Sequence, residues 1–288
     1  MRVTEHNKYL SLVDRLRTNQ SRLQETIEQI SSGKQVNRPS DDPVAAAMLS
    51  RIEAADARQK AYLEVNARVR EEMQAADAAL GNADDIMVRV KELTVQMASG
   101  LKSQAVLDGG ADEIAEMREA LVQTINTKHQ GRYLFGGIAD GQPPYDAGGY
   151  VGSTRLREVE VAPTTKIEQL SGAEAFAGNI DIPFVLDQLE QALRAGDQDA
   201  ARALITDIDG SIEQLNHSRQ IAGSRLDALD HAAAFSEAIS FQSEVDASRL
   251  ESTDVAEAAS RLESITSALQ ATAEVAGRLK SSDLLMKL

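Results

Sequence analysis

The long stretch from Met48 to Met97 reads MLSRIEAADARQKAYLEVNARVREEMQAADAALGNADDIMVRVKELTVQM. A series of residues recurs along this stretch at alternating intervals of four and three, the spacing that places residues on one face of a helix. Its members are Met48, Ile52, Ala55, Gln59, Tyr62, Asn66, Val69, Met73, Ala76, Leu80, Ala83, Met87, Val90, Thr94 and Met97. This spacing predicts one long helix that packs lengthwise against another helix. Pro43 suits the first helical position and Gly100 the end of the helix.

The N-terminal stretch shows the same spacing. From Tyr9 the steps of four and three pass through Val13, Leu16, Gln20, Leu23, Ile27 and Ile30, and Gly33 then ends the pattern. Two prolines follow, Pro39 and Pro43, and each biases the residue before it away from the helical conformation. We therefore predict an N-terminal coiled-coil arm joined to the long helix by an extended linker.

The C-terminal stretch mirrors this arrangement. Helical spacing resumes at Phe184, breaks at Gly196 and runs on to Leu250. Thr253 or Asp254 can cap a final helix. Its seam again alternates steps of three and four, through Val255, Ala258, Leu262, Ile265, Leu269, Thr272, Ala276 and Leu279. Both ends of the chain are therefore predicted to be coiled-coil arms.

The middle of the chain has a different character. A shorter helix is predicted after Asp112, and the helical spacing stops at Gly131. The segment from Gly131 to Pro183 is rich in glycine, contains four of the six prolines and includes the alternating run LREVEV from Leu156 to Val161. These features predict a small β-rich insert in a mainly α fold. The predicted segments are an N-terminal arm (1–33), a linker (34–42), the first part of a helical domain (43–130), the insert (131–183), the second part of that helical domain (184–252) and a C-terminal arm (253–288).

The charge and composition exclude several classes of function. The formal net charge of -15 disfavours binding to nucleic acids or to an anionic membrane surface, because both require clustered Lys and Arg. The chain contains no cysteine, so disulfide bonds, thiolate metal sites and thiol nucleophiles are excluded. The first thirty residues lack the apolar stretch of a signal peptide, and we expect any secretion to use another route.

The sequence shows no catalytic or cofactor-binding pattern. Two carboxylate pairs are adjacent in sequence. Asp41–Asp42 lies where a helix cap is needed, and the side chains of Asp84–Asp85 point apart, because adjacent residues on a helix do so. No glycine-rich loop has the spacing of a phosphate or dinucleotide site. The four histidines occur without the spacing of a metal site, at positions His6, His129, His217 and His231. We expect no enzyme activity, no cofactor and no metal.

The two arms are predicted to depend on partners. An isolated helix is only marginally stable in water, and each arm has few large apolar residues along its seam. Two such arms packed on each other still leave one face uncovered. We therefore hypothesise that the arms become ordered on assembly with neighbouring molecules, which measurements of amide protection in the free chain would contradict if both arms were already rigid.

Five motifs resemble those of a known family. Those in the first half are SGKQVNRPSDDPVAAAM from Ser32, MVRVKELTVQ from Met87 and GRYLFGG from Gly131. The second half contributes SRQIAGSRLDALD from Ser218 and DVAEAASRLESITSALQA from Asp254. Together they resemble flagellar hook-associated proteins of the flagellin family. The resemblance extends over residues 1–137 and 184–288 and leaves the insert without a counterpart.

The resemblance implies a structural function outside the cell. It implies a subunit at the junction between hook and flagellin filament, needed for filament assembly and motility and exported without a cleaved signal peptide by the flagellar type III apparatus. The implied partners are identical subunits in a ring, a neighbouring hook-associated protein, flagellin, and an export chaperone on the C-terminal arm. The arms would form an inner tube, the helical domain an outer tube, and the insert would project outward.

The expected assembly residues come from two sources. The seam spacing predicts Tyr9, Leu16, Leu23, Ile27 and Ile30 in the first arm and Val255, Leu262, Ile265, Leu269 and Leu279 in the second. The resemblance adds the helix surface at Arg89, Leu93 and Gln96, for which the competing interpretation is that Leu93 is buried in the core and Arg89 merely solvated.

Two alternatives to the junction role remain at this stage. The first is flagellin itself, whose architecture and several of whose motifs are the same. The second is a soluble helical scaffold protein, for which we would expect a stable monomer with folded termini.

Overall fold

Long helices dominate the chain. The computed structural model describes residues 2–146 and 148–285, and side chains over 10–146 and 148–277. The model is 73% helical, which confirms the predicted mainly α fold with long terminal helices and a small strand-containing insert. No described helix has a stretch apolar enough to cross a membrane. The helices are α1 (Arg2–Ser32), α2 (Pro43–Ala98), α3 (Gln104–Ile125), α4 (Gly172–Ala177), α5 (Ile182–Arg194), α6 (Gln198–Ala203), α7 (Ile205–Glu251) and α8 (Val255–Leu285).

The ends of the long helices follow from local chemistry. Helix α1 is followed by Gly33 and α2 is closely followed by Gly100, and both glycines adopt positive φ angles of 71° and 70°, which other residues rarely tolerate. Helix α2 begins at Pro43, and the Asp42 carboxylate accepts hydrogen bonds from two backbone N–H groups of its first turn. Asp254 caps the first turn of α8 in the same way.

The chain forms two compact units. One, which we call the arm unit, consists of Met1–Arg58 and Ile239–Leu288. The other, which we call the body, consists of Gln59–Ala238. The division between the units therefore lies inside α2 and α7.

The body encloses a continuous apolar core. The predicted face of α2 is buried along most of the body, at Gln59, Asn66, Val69, Met73, Ala76, Leu80, Ala83, Met87, Val90, Thr94 and Met97. Helix α7 contributes residues seven apart, which are Ile208, Leu215, Ala222 and Leu229. The two helices are antiparallel, because the Asn66 side-chain amide donates to the Leu229 carbonyl at 2.9 Å and Lys91 pairs with Asp209 at 2.7 Å. Helix α3 packs on α5.

Three short antiparallel hairpins form the strands of this region, and the first of them begins just before the insert, at Lys128. Their strands are β1 (Lys128–His129), β2 (Arg132–Tyr133), β3 (Tyr145–Asp146), β4 (Gly149–Tyr150), β5 (Glu158–Ala162) and β6 (Thr165–Glu168), paired β1 with β2, β3 with β4 and β5 with β6. Pairing between β5 and β6 is irregular between Glu160 and Ala162, as in a β-bulge.

The insert contributes buried side chains to the core of the body. Phe135 and Phe176 are fully buried and meet edge to face, with ring centroids 5.0 Å apart. The Tyr150 hydroxyl donates to the Phe135 carbonyl at 2.6 Å. Arg157 is paired at 2.7 Å with Glu72 of α2. Hairpins this short have too little apolar surface to be stable without a neighbouring core, which accounts for this burial.

Candidate assembly surfaces

The first arm packs against the second through a face of α1 that overlaps the predicted seam in part. Helix α1 packs on α8, and its less exposed residues step by four and three through Leu12, Leu16, Asn19, Leu23, Thr26 and Ile30. Leu16, Leu23 and Ile30 belong to both the predicted and the observed series, and Val13 of the predicted series is half-buried as well. Ile27 is 49% exposed, whereas its neighbour Thr26 is only 5% exposed. The Thr26 hydroxyl donates to the Arg22 carbonyl at 2.8 Å, and this bond allows a polar side chain at the contact between the helices.

The second arm matches its predicted seam over most of its described length. Ala258 is buried, and Leu262, Ile265 and Leu269 are half-buried on the same face. Val255, at the first position of α8, is exposed. The side chains of Tyr9 and Leu279, the outermost predicted members of the two seams, lie outside the described residues.

The arm pair leaves apolar surface uncovered. No large aliphatic side chain described within residues 10–32 or 255–277 is fully buried. Leu10 and Val275 are about half exposed, as Ile27 and Val255 are. This surface is what a further helix or a neighbouring molecule could cover, because apolar area removed from water stabilises an association.

The segment that follows α1 lies beside the segment that joins α7 to α8, and hydrogen bonds connect the two. Lys34 and Ser252 form an antiparallel bridge. Beside it, the Gln35 N–H donates to the Glu251 carbonyl and the Thr253 N–H donates to the Gly33 carbonyl. We call this contact, between residues 33–35 and 251–253, the clasp.

The resemblance placed three candidate interface residues on α2. The structure buries one of them and leaves the other two exposed. Leu93 is 3% exposed and lies in the core of the body, so it is not accessible to a partner in this fold. Gln96 and Arg89 are exposed. Arg89 pairs with Glu113 of α3 at 3.1 Å and with Glu92 at 3.3 Å, and the hydrogen bond that the Arg89 guanidinium donates to the Glu113 carboxylate is the largest cause that raises the Arg89 pKa. The exposed candidates on α2 are thus reduced to Arg89 and Gln96.

Sequence reasoning missed the buried polar positions of the arm. Thr26 and Gln29 are the most buried described residues of α1. Two overlapping heptad series run through this helix, and the series with more large apolar residues was preferred. The signal that could have found the other series is the step of four from Leu12 to Leu16, which continues through Asn19 and Thr26.

The described residues contain no grouping of three His, Asp or Glu side chains able to bind a metal ion. The polar contacts of the body instead join its own elements, as between Arg157 and Glu72 and between Arg118 and Asp187.

Comparison with known proteins finds flagellar proteins similar to this chain. Residues 3–140 match the family model for the bacterial flagellin N-terminal helical region. The flagellar hook-associated protein 3 of Salmonella typhimurium is 26% identical over 61% of this chain, and the match covers 57% of that protein. The chain thus covers little more than half the length of this curated relative. Flagellins of other bacteria also match, each over a smaller share of this chain than that relative.

Solved structures share the fold. FlgL from Xanthomonas campestris is 19% identical, with a TM-score of 0.61 over 69% of this chain and 99% of its own. The flagellar junction protein FlgL from Legionella pneumophila is 14% identical, with a TM-score of 0.59 over 71% of this chain and 99% of its own. Together with the family model and the Salmonella relative, these structures confirm the resemblance of the chain to flagellar hook-associated protein 3 and to the flagellin family.

Proposed function

We propose that the chain is a structural subunit of the bacterial flagellum that forms the junction between the hook and the flagellin filament. The observation that carries this proposal is the contrast within the chain itself. The body encloses its core, whereas the arm pair has no fully buried large aliphatic side chain among its described residues. A subunit that completes its core only by joining neighbours has this pattern.

The relatives point to the same place in the flagellum. The Salmonella relative is named as a hook-associated protein, and the Legionella structure is named as a flagellar junction protein. By this likeness the chain is exported through the flagellar channel without a cleaved signal peptide and acts outside the cell. The role is structural and not catalytic.

The proposed partners are identical subunits in a ring, a neighbouring hook-associated protein on one side and flagellin on the other. Residues for these contacts are the exposed or half-exposed members of the arms, Leu16, Leu23, Ile27, Ile30, Val255, Leu262, Ile265 and Leu269, together with Arg89 and Gln96 on α2. An export chaperone is proposed to bind α8, because this amphipathic helix leaves apolar side chains available. Failure of an α8 peptide to bind the cognate chaperone would contradict that contact.

Gene deletion tests the function. We expect cells without this gene to build hooks and to release unpolymerised flagellin into the medium, because filaments would have no junction to grow from. Restoring the gene should restore filaments and motility.

Other outcomes of the deletion separate the alternatives. Loss of all flagellin, with hooks and junction proteins retained, would identify the chain as flagellin itself. Normal flagella would favour a soluble scaffold role and overturn the proposal. Complementation with Arg89→Ala then tests the α2 surface, and unimpaired junction assembly would count against it.

A further inference from the structure

The clasp joins the two helix breaks through backbone groups on both sides. The Gln35 N–H and the Thr253 N–H each donate across it, the second at 3.0 Å to the Gly33 carbonyl. A salt bridge of 2.7 Å between Lys34 and Glu251 lies beside these bonds. The end of α1 and the start of α8 are therefore held next to each other.

The rest of the first linker folds back on the same place. The Gln29 side-chain amide donates to the Gln35 carbonyl at 3.1 Å. Arg38 donates to both carboxylate oxygens of Glu28, at 3.1 and 3.2 Å. The Asp41 carboxylate accepts from the backbone N–H of Arg38 at 2.8 Å. These contacts fix the clasp relative to the last turns of α1.

The seam between the arms does not by itself select one alignment. A heptad pattern repeats after seven residues, so sliding α8 along α1 by one heptad presents equivalent positions again. The large aliphatic members of the seam do not lock one alignment, because each of those described is only half-buried and none fills an enclosed pocket.

We propose that the clasp selects the register of the two arms. Its bonds pair specific residues, Lys34 with Ser252, and those pairs have no equivalent one heptad away. The clasp thereby fixes where α1 and α8 begin to run alongside each other, and the seam then continues from that point. This inference concerns the chain alone and does not depend on the proposed function.

The register can be stated as pairs of residues at the same level. Continued antiparallel from the clasp, the two seams place Ile30 level with Ala258, Leu23 with Ile265 and Leu16 with Thr272. A slip by one heptad would bring Leu23 level with Ala258 or with Thr272 and move its native partner by about 10 Å. That displacement exceeds the Cα separation of about 7 Å that a disulfide can bridge.

Cysteine pairs report this register directly, because the full chain contains no cysteine of its own. We would prepare full-length chains with Leu23→Cys and Ile265→Cys as the native pair. Chains with Leu23→Cys and either Ala258→Cys or Thr272→Cys would serve as the slipped pairs. Each chain is oxidised at high dilution, and the intramolecular cross-link is quantified by peptide mass spectrometry.

Two substitutions then open the clasp, Gln35→Pro and Thr253→Pro, each of which removes one donor N–H. With the clasp intact we expect the native pair to dominate. In either proline variant we expect the ratio of native to slipped cross-links to fall about ten-fold, since hydrogen bonds of this kind shift such an equilibrium to that extent. Val36→Pro is the matched control, because it places proline one residue further on and leaves both clasp hydrogen bonds in place.

Two results would overturn the proposal. Equal cross-linking of native and slipped pairs in the intact chain would mean that the clasp selects no register. An unchanged ratio in both Gln35→Pro and Thr253→Pro would mean that the seam alone sets it. The chain is studied without flagellar partners, so neither result bears on the junction role.

Discussion

The arm unit and the body are built from similar helices but bury them to different extents. In the body, α2 and α7 carry a seam whose large residues, such as Leu80, Met87 and Leu215, are fully buried. In the arms, Leu16, Leu23 and Leu262 occupy equivalent seam positions and remain half-exposed. The same heptad spacing thus gives a closed core in one unit and an open surface in the other.

The difference lies in what surrounds each pair of helices. In the body, α3, α5 and the insert add side chains around α2 and α7, including Ile114, Leu186 and Phe135. Helix α1 packs on α8 within the arm unit, and a pair of helices can cover only one face of each. A heptad seam therefore predicts helix pairing, whereas the depth of burial depends on additional layers.

A substitution that removes a buried side chain of the insert from the core of the body should have the largest effect on stability. We expect Phe135→Ala to lower the free energy of unfolding by about 3–5 kcal/mol, because Phe135 is fully buried and packs edge to face on Phe176. Denaturant unfolding of the purified chain measures the change. Phe184→Ala is the matched control, since Phe184 is 53% exposed, and its effect should stay below about 1 kcal/mol. Equal losses in the two variants would show that the insert is not part of the core.

Ionisation of two tyrosines in the insert, Tyr145 and Tyr150, should have an intermediate effect on the stability of the body. Burial raises the pKa of Tyr150 to about 12, and burial together with the Asp181 carboxylate raises the pKa of Tyr145 to about 12. An unfolded tyrosine has a pKa of about 10. Because the folded values are higher, the body should be fully stabilised by these groups below pH 10 and lose that stabilisation as the pH rises from 10 through 12.

Tyr150→Phe tests this dependence. The variant loses the hydrogen bond to the Phe135 carbonyl, so we expect it to be less stable at pH 7 by about 1 kcal/mol. Its stability should also fall less steeply between pH 10 and 12 than that of the parent chain, as followed by circular dichroism. An unchanged alkaline slope would rule out Tyr150 as a contributor.

The smallest effect on the isolated chain should come from the arms. We expect Leu23→Ala to change the stability of the purified chain by less than about 1 kcal/mol, because Leu23 is only half-buried. In cells the same variant should impair filament assembly, where neighbouring molecules would cover this residue. Leu80→Ala is the control from the body, with an expected loss of about 2–5 kcal/mol. A comparable loss of stability from both leucines would remove the distinction between arms and body.

Spacing of apolar residues predicted much of this fold. The series from Gln59 to Met97 coincides with the buried face of α2, because a helix that packs along its whole length imposes one repeating interval. In α1 the same rule selected Ile27 and missed Thr26, since two series share Leu16 and Leu23 and residue type alone favoured the more apolar one. Leu93 was predicted on a partner surface and lies in the core, because the resemblance supplied its motif without its orientation.

The sequence by itself determined the long helices, their ends at Gly33 and Gly100, and the β-rich character of the insert, and it left Thr253 and Asp254 as alternative caps of α8. These depend on interactions between residues close in the chain, such as side-chain caps and a repeating helical interval. Only the tertiary structure decided the burial of Phe135 in the body and the clasp between Lys34 and Ser252. Both join segments far apart in sequence, and local spacing contains no information about which distant segment will be the neighbour.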